Sequence, residues 1–216
     1  MNYLSHLWHA LDFGSMRSVF FRVISVLICL ILHEVCHGLA AYALGDPTAK
    51  LRHRLSLNPL HHIDWMGLAA MLFIGVGWAK PVPVNPRYFK KPKLGMALTA
   101  LAGPVSNFLL SFVLILFLRL NMAGPEDSVR LWVYFLVSTA MLSIGLGLFN
   151  LLPIPPLDGS KILAVLLPDR AYRWLMRWER YGMVVVVLLM SLGAGSDVLD
   201  RTILWVFTLF CRMVGV

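Results

Sequence analysis

Apolar residues in this chain come in long runs, separated by short stretches that hold nearly all the charge. The first run, Val19 to Leu44, is followed by the polar stretch "GDPTAKLRHRLSLNPLHHIDW". Gly95 to Leu118 and Leu131 to Leu152 are the next long runs. At 1.5 Å per residue each can cross a hydrocarbon core roughly 30 Å thick as a helix. Met66 to Trp78 is shorter and carries Gly67, Gly75 and Gly77. It leads into "AKPVPVNPRYFKKPK", whose prolines predict extended chain and turns. Two late runs, Tyr181 to Leu192 and Ile203 to Val216, are short for full crossings and read as membrane helices.

Two segments read as helices lying in the membrane interface. In residues 1–17, Leu4, Leu7, Trp8 and Leu11 recur at helical spacing among polar neighbours, and His6 and His9 belong to the solvated face. In 169–180, Arg170, Arg173, Arg177 and Arg180 form one stripe, with Trp174, Leu175 and Trp178 elsewhere on the helix. The predicted fold is an all-α polytopic membrane bundle, with a short re-entrant and extended segment near the cytoplasmic face. No polar insertion is long enough for a second folded unit, so residues 1–216 read as one membrane domain.

Composition agrees with the pattern. Of 216 residues, 59% are hydrophobic and only 14% charged, which excludes an ordinary soluble domain. The net charge of +8 does not point to nucleic acid, because Lys and Arg sit in the loops between apolar runs, where they set orientation. Cys29, Cys36 and Cys211 lie in apolar runs, are odd in number and have no C-x-x-C spacing, so no disulfide framework is expected. No cleavable leader is expected, since the first run carries the chemistry described next.

That run contains "LILHEVCHGLAAYAL". A charged side chain at the centre of a membrane helix costs roughly 2.5–3.5 kcal/mol on insertion scales. His33 and His37 are four apart and share one helix face, so both can aim a ring nitrogen at one ion. Glu34 stands beside them. This is the H-E-x-x-H arrangement of zinc peptidases, in which two histidines hold the metal and the glutamate is the general base. Three costly groups at that one spacing favour a metal site over helix histidines satisfied by neighbours.

A catalytic zinc usually takes a third protein ligand. Asp158 in "NLLPIPPLDG" is the better candidate, ahead of His53, His61 and His62 in the polar stretch. It ends a membrane run that Pro153, Pro155 and Pro156 break open, and broken helices at membrane depth are tolerated where they line a polar site. The plain alternative is a helix N-cap. Asp158 meets the histidines on one side of the membrane only if Met66–Trp78 is re-entrant. In that topology one side holds the basic residues from Lys50 to Lys93 and from Lys161 to Arg180, while the other holds Arg17, Arg22, Arg119, Arg130 and Arg201. The positive-inside rule makes the first side cytoplasmic. His33 lies about 21 Å along the helix from Val19, so the site is buried but nearer the cytoplasmic face.

Taken together, "LHEVCHGLAAYALGDPTAK", "GWAKPVPVNP", "ALAGPVSN" and "NLLPIPPLDGSKIL" resemble the site-2 protease family of intramembrane zinc metalloproteases, over most of the chain. The resemblance implies that His33, His37 and Asp158 hold Zn2+ and that Glu34 is catalytic. It matches Asn150 to an asparagine near the reaction centre, where it would steady the oxyanion or the substrate backbone. Asn107 in "GPVSN" matches a second motif and is expected to serve packing, with Gly103 allowing close approach. The expected substrate is a transmembrane protein, cleaved in or near its membrane segment in a bacterial or archaeal cell membrane. The chain has no room for the PDZ insertion or nucleotide-sensing domain of some family members. The extended "PVPVN" offers a strand edge that could hold an unwound substrate. Two other classes use similar ligands. A di-iron desaturase needs more histidines, and none follows His62. A zinc transporter or non-catalytic binder has no use for Glu34.

Overall fold

The computed structural model describes residues 16–62, 64, 80–120, 126–191 and 195–215. Of the segment 1–17 expected to lie in the interface, only Met16 and Arg17 are described, as the start of the first helix. The run Met66–Trp78, expected to be re-entrant, lies outside the described residues. The elements are α1 (Met16–Ala43), the single turn α2 (Thr48–Leu51), α3 (Pro92–Leu120), α4 (Glu126–Asn150), α5 (Asp158–Ala164), α6 (Asp169–Ser191) and α7 (Ser196–Val214). Short 3-10 turns occupy Pro59–His61 and Pro86–Tyr88. No strand occurs among the described residues.

Among the described residues, three helices are long and apolar enough to cross a membrane: Phe20–Ala43, Pro92–Leu120 and Trp132–Asn150. They coincide with the three long apolar runs, and the protein is an integral, all-α membrane protein. α1, α3 and α4 pack against one another, with α5 against α3 and α7 against α4 and α3. Residue numbers run in opposite senses across the contacts, with His33 against Asn107 and His37 against Thr99, and Ser143 against Asn107 and Gly147 against Pro104. α3 is therefore antiparallel to both α1 and α4, and the C-terminal end of α1, the start of α3 and the end of α4 share one end of the bundle.

The bundle is apolar at one end and polar at the other. Ile115, Leu118, Leu136, Val137, Ala140, Ile144, Val206, Phe207 and Val214 form the buried apolar core of α3, α4 and α7. Nearer the middle, the buried positions are polar. α3 turns Thr99, Gly103, Asn107 and Ser111 inward, each four residues from the last, while Leu101, Val105, Leu109 and Val113 are exposed. A helix in lipid turns leucine outward at no cost and gathers small and polar groups at its helix contacts. The same rule pairs Ser25 Oγ of α1 with Thr139 Oγ1 of α4 at 2.7 Å.

One expectation needs correction. The arginine-striped segment 169–180 and the run Tyr181–Leu192 form a single continuous helix, α6. Nothing between Arg180 and Met183 breaks a helix except Gly182. That glycine serves packing: a Cβ there would lie 1.9 Å from the carbonyl oxygen of Pro155. α7 likewise starts at Ser196, ahead of the apolar run at Ile203.

Candidate metal centre

α1 has its two histidines on its buried face, with rings 4.5 Å apart and nearly perpendicular. Asp158 reaches them from the first turn of α5. Its Oδ2 lies 3.0 Å from His33 Nε2 and 3.1 Å from His37 Nε2. One ligand atom from each of the three residues falls within 4.8 Å of the other two, and all three residues are buried. Among the described residues, no other group of three His, Cys, Asp or Glu side chains converges in this way.

Three local features make the convergence possible. A Cβ at Gly103 would stand 2.5 Å from Cε1 and Nε2 of His37 and 2.6 Å from Cε1 of His33, so only glycine lets α3 lie against both rings. A Cβ at Gly159 would stand 2.1 Å from the carbonyl oxygen of Leu151, so glycine lets α5 start directly beneath the turn that ends α4. The N-cap of α5 is Leu157, with no side-chain capping bond. Asp158 is therefore not the cap, and its carboxylate is turned to the histidines.

The rings are also oriented from behind. His37 Nδ1 lies 2.7 Å from the Thr99 carbonyl oxygen. A carbonyl only accepts, so Nδ1 carries a proton, and in the neutral ring this leaves Nε2, on the side of Asp158, as the atom able to take a metal. His33 Nδ1 meets the side-chain amide of Asn107 at 3.0 Å. Asn107 is fully buried, and its backbone carbonyl accepts from Ser143 Oγ at 2.8 Å. Two imidazoles and a carboxylate, each ring held through its second nitrogen, suit a divalent ion of the zinc type.

Comparison with known proteins agrees. The sequence profile of peptidase family M50 matches residues 120–193. "Putative zinc metalloprotease YwhC" of Bacillus subtilis is 39% identical over 190 residues, covering 83% of this chain and 84% of that protein. "Putative zinc metalloprotease Rip2" of Mycobacterium tuberculosis is 32% identical over 192 residues, covering 85% and 71%. The chain belongs to peptidase family M50. The resemblance to site-2 proteases drawn from the motifs stands. "Zinc metalloprotease MJ0392" of Methanocaldococcus jannaschii is more distant, at 26% over 159 residues. No solved structure matches the chain.

The other predicted residues of this M50 chain are placed as follows. Glu34 Oε2 accepts from the backbone N–H of Val82 at 2.8 Å. Asn150, at the end of α4, donates from Nδ2 to the Leu146 carbonyl of its own helix at 2.9 Å. The rival ligands stay apart from the centre. His53 is exposed with φ 53, His61 is exposed, and His62 is buried with Nε2 2.7 Å from the Ser56 carbonyl. Packing is too weak a description of Asn107, because its amide faces a ring of the metal group. The signal for it was available in the sequence as the four-residue recurrence of small and polar residues from Thr99 to Ser111 within an apolar helix.

Proposed function

We propose that this protein is an intramembrane zinc endopeptidase of the site-2 type, working as a single domain that hydrolyses peptide bonds in or near the membrane segments of other proteins. The observation that carries the reading is the buried meeting of His33, His37 and Asp158 with Glu34 next in sequence. His33, His37 and Asp158 would hold the zinc. When bound there, zinc would supply Lewis acidity for the scissile carbonyl and would lower the pKa of a water to about 7.

The chain's own groups do the rest. Glu34 takes the proton of the attacking water and delivers it to the leaving amine. Asn150 steadies the oxyanion or the substrate backbone once its amide turns from Leu146. A peptide bond inside a helix is shielded, so the substrate must unwind, and the extended Pro81–Asn85 segment offers an edge to hold it. The concentration of Lys and Arg beside the site supports a cytoplasmic-side centre in a cell membrane.

Glu34→Gln is the test. Glutamine keeps the size, and all three ligands remain, so zinc content should stay at the wild-type level. Cleavage of a model transmembrane substrate should fall by about 10²–10⁴-fold. A transporter or non-catalytic binder would tolerate the change. Retained zinc with retained cleavage would remove Glu34 from the mechanism, and loss of zinc would make it a ligand.

A further inference from the structure

The extended segment beside the centre is gripped by side chains from other parts of the chain, two of them buried (Arg54 and Asp46) and one half-buried (Glu34). Arg54, 7% exposed, donates from Nη2 to the carbonyl oxygens of Lys80 at 2.5 Å and Pro81 at 3.2 Å. Val82 N–H donates to Glu34 Oε2 at 2.8 Å. Asn85 N–H donates at 2.6 Å to Oδ2 of Asp46, which is fully buried. Pro81 and Pro83 have no N–H, so Val82 is the sole backbone donor among residues 81–83.

The Pro81 carbonyl and the Val82 N–H belong to one planar peptide group. In a trans peptide they point in opposite directions. A cation therefore holds the oxygen edge of this plane and a carboxylate holds its N–H edge. Each contact is charge-assisted, and each polarises the peptide in the sense that strengthens the other. Burial lowers the pKa of Arg54, and the Glu34 carboxylate partly offsets that shift, which places the two charges in one electrostatic field. The grip occupies one oxygen of Glu34 and leaves the second for proton transfer.

We propose that Arg54 is a positioning residue: acting through the Pro81–Val82 peptide, it sets the orientation of the Glu34 carboxylate. The proposal rests on the reading of Glu34 as general base. A plain staple between two loops would make the same Arg54 contacts but would have no selective effect on kcat.

The test uses the full chain in detergent or bilayer. Arg54→Met should lower kcat by about 10–100-fold, the range for a lost supporting contact, with KM within about threefold of wild type and zinc content unchanged. Arg54→Lys, which can hold one carbonyl, should recover part of the loss and is the gentler variant if Arg54→Met folds poorly. Val82→Pro deletes the N–H in a segment already extended by its flanking prolines, and Val82→Ala supplies the baseline for lost side-chain packing. The double variant Arg54→Met with Val82→Pro should be no slower than Val82→Pro alone, because both break one linkage. Additive losses, a change confined to KM, or loss of zinc in Arg54→Met would overturn the proposal.

A second readout does not depend on cleavage. In protein labelled with 15N-valine, the Val82 amide should be protected from hydrogen exchange in wild type, and about tenfold or more less protected in Arg54→Met and in Glu34→Ala. Unchanged protection in Arg54→Met refutes the linkage. If Glu34→Gln keeps full cleavage, it is the proposed function that fails, and the exchange result still decides whether Arg54 orients Glu34.

Discussion

His33 Nε2 and Asp158 Oδ2, separated by 125 residues of sequence, lie 3.0 Å apart in the buried middle of a membrane bundle. Two more contacts surround this one. His37 converges on the same oxygen, and Asn107 backs the far side of the His33 ring. A carboxylate in lipid is tolerated where partners of this kind meet it.

Asp158→Ala should therefore cost zinc, while His61→Ala and His62→Ala should not. Three protein ligands make a catalytic site, and removing one weakens binding far more than removing a distant imidazole. His62 Nε2 bonds to the Ser56 carbonyl, so loss of the side chain belongs to the loop. Metal content of the purified variants decides the matter. Zinc kept in Asp158→Ala and lost in His61→Ala would move the third ligand to the polar stretch.

Gly103→Ala separates helix stability from site geometry. In a helix interior alanine is favoured over glycine by about 1 kcal/mol, so α3 should form as before or better. The added methyl would nonetheless press within 2.5 Å of the His37 ring. The expected result is a helical protein, by circular dichroism, whose zinc is lost and whose cleavage drops by about 100-fold or more. Normal zinc in this variant would mean that α3 can shift away from α1, and the close fit would lose its significance.

The long-range architecture was legible because lipid imposes a length on apolar runs, and the three crossings follow from that length alone. His33, Glu34 and His37 were legible because a helix fixes the relation of residues four apart. Asp158 was legible only as a costly group beside broken helix, since no local rule brings residue 158 to residue 33. Asn107 was misjudged as packing. An asparagine in a membrane helix bonds to something, but its partner lies 74 residues away in sequence. The continuity of α6 was missed because a change from charged to apolar composition resembles a boundary, although helices end at caps and breakers rather than at changes of polarity.

Orientation gives a prediction from charge. Lys91 should face the cytoplasm and Glu126 the opposite side, because the membrane-length helix α3 lies between them in the chain and basic residues cluster at the Lys91 end. Single cysteines at the two positions, in a background free of Cys29, Cys36 and Cys211, can be probed with an impermeant thiol reagent. Position 126 should label from outside intact cells and position 91 only after permeabilisation. Labelling of both from one side would break the topology and the cytoplasmic-side centre together.

Asn107 carries the most demanding prediction. When His33 gives its Nε2 lone pair to a metal, the ring proton sits on Nδ1 and must be donated. The amide of Asn107 then has to present Oδ1 to the ring, which a half-turn about its last side-chain bond achieves. That half-turn also finds a partner for Oδ1, the buried amide atom that otherwise has none. Asn107→Leu keeps the approximate volume and removes the acceptor, so it should weaken zinc affinity by about 10–100-fold in competition with a chelator. Asn107→Asp keeps an acceptor in the same place and should retain more affinity than Asn107→Leu. Ser143 bonds to the backbone of residue 107 rather than its side chain, so the α3–α4 contact should survive both changes. If Asn107→Leu binds zinc as tightly as wild type, the amide is helix packing after all, and the orientation of His33 must come from Asp158 and Gly103 alone.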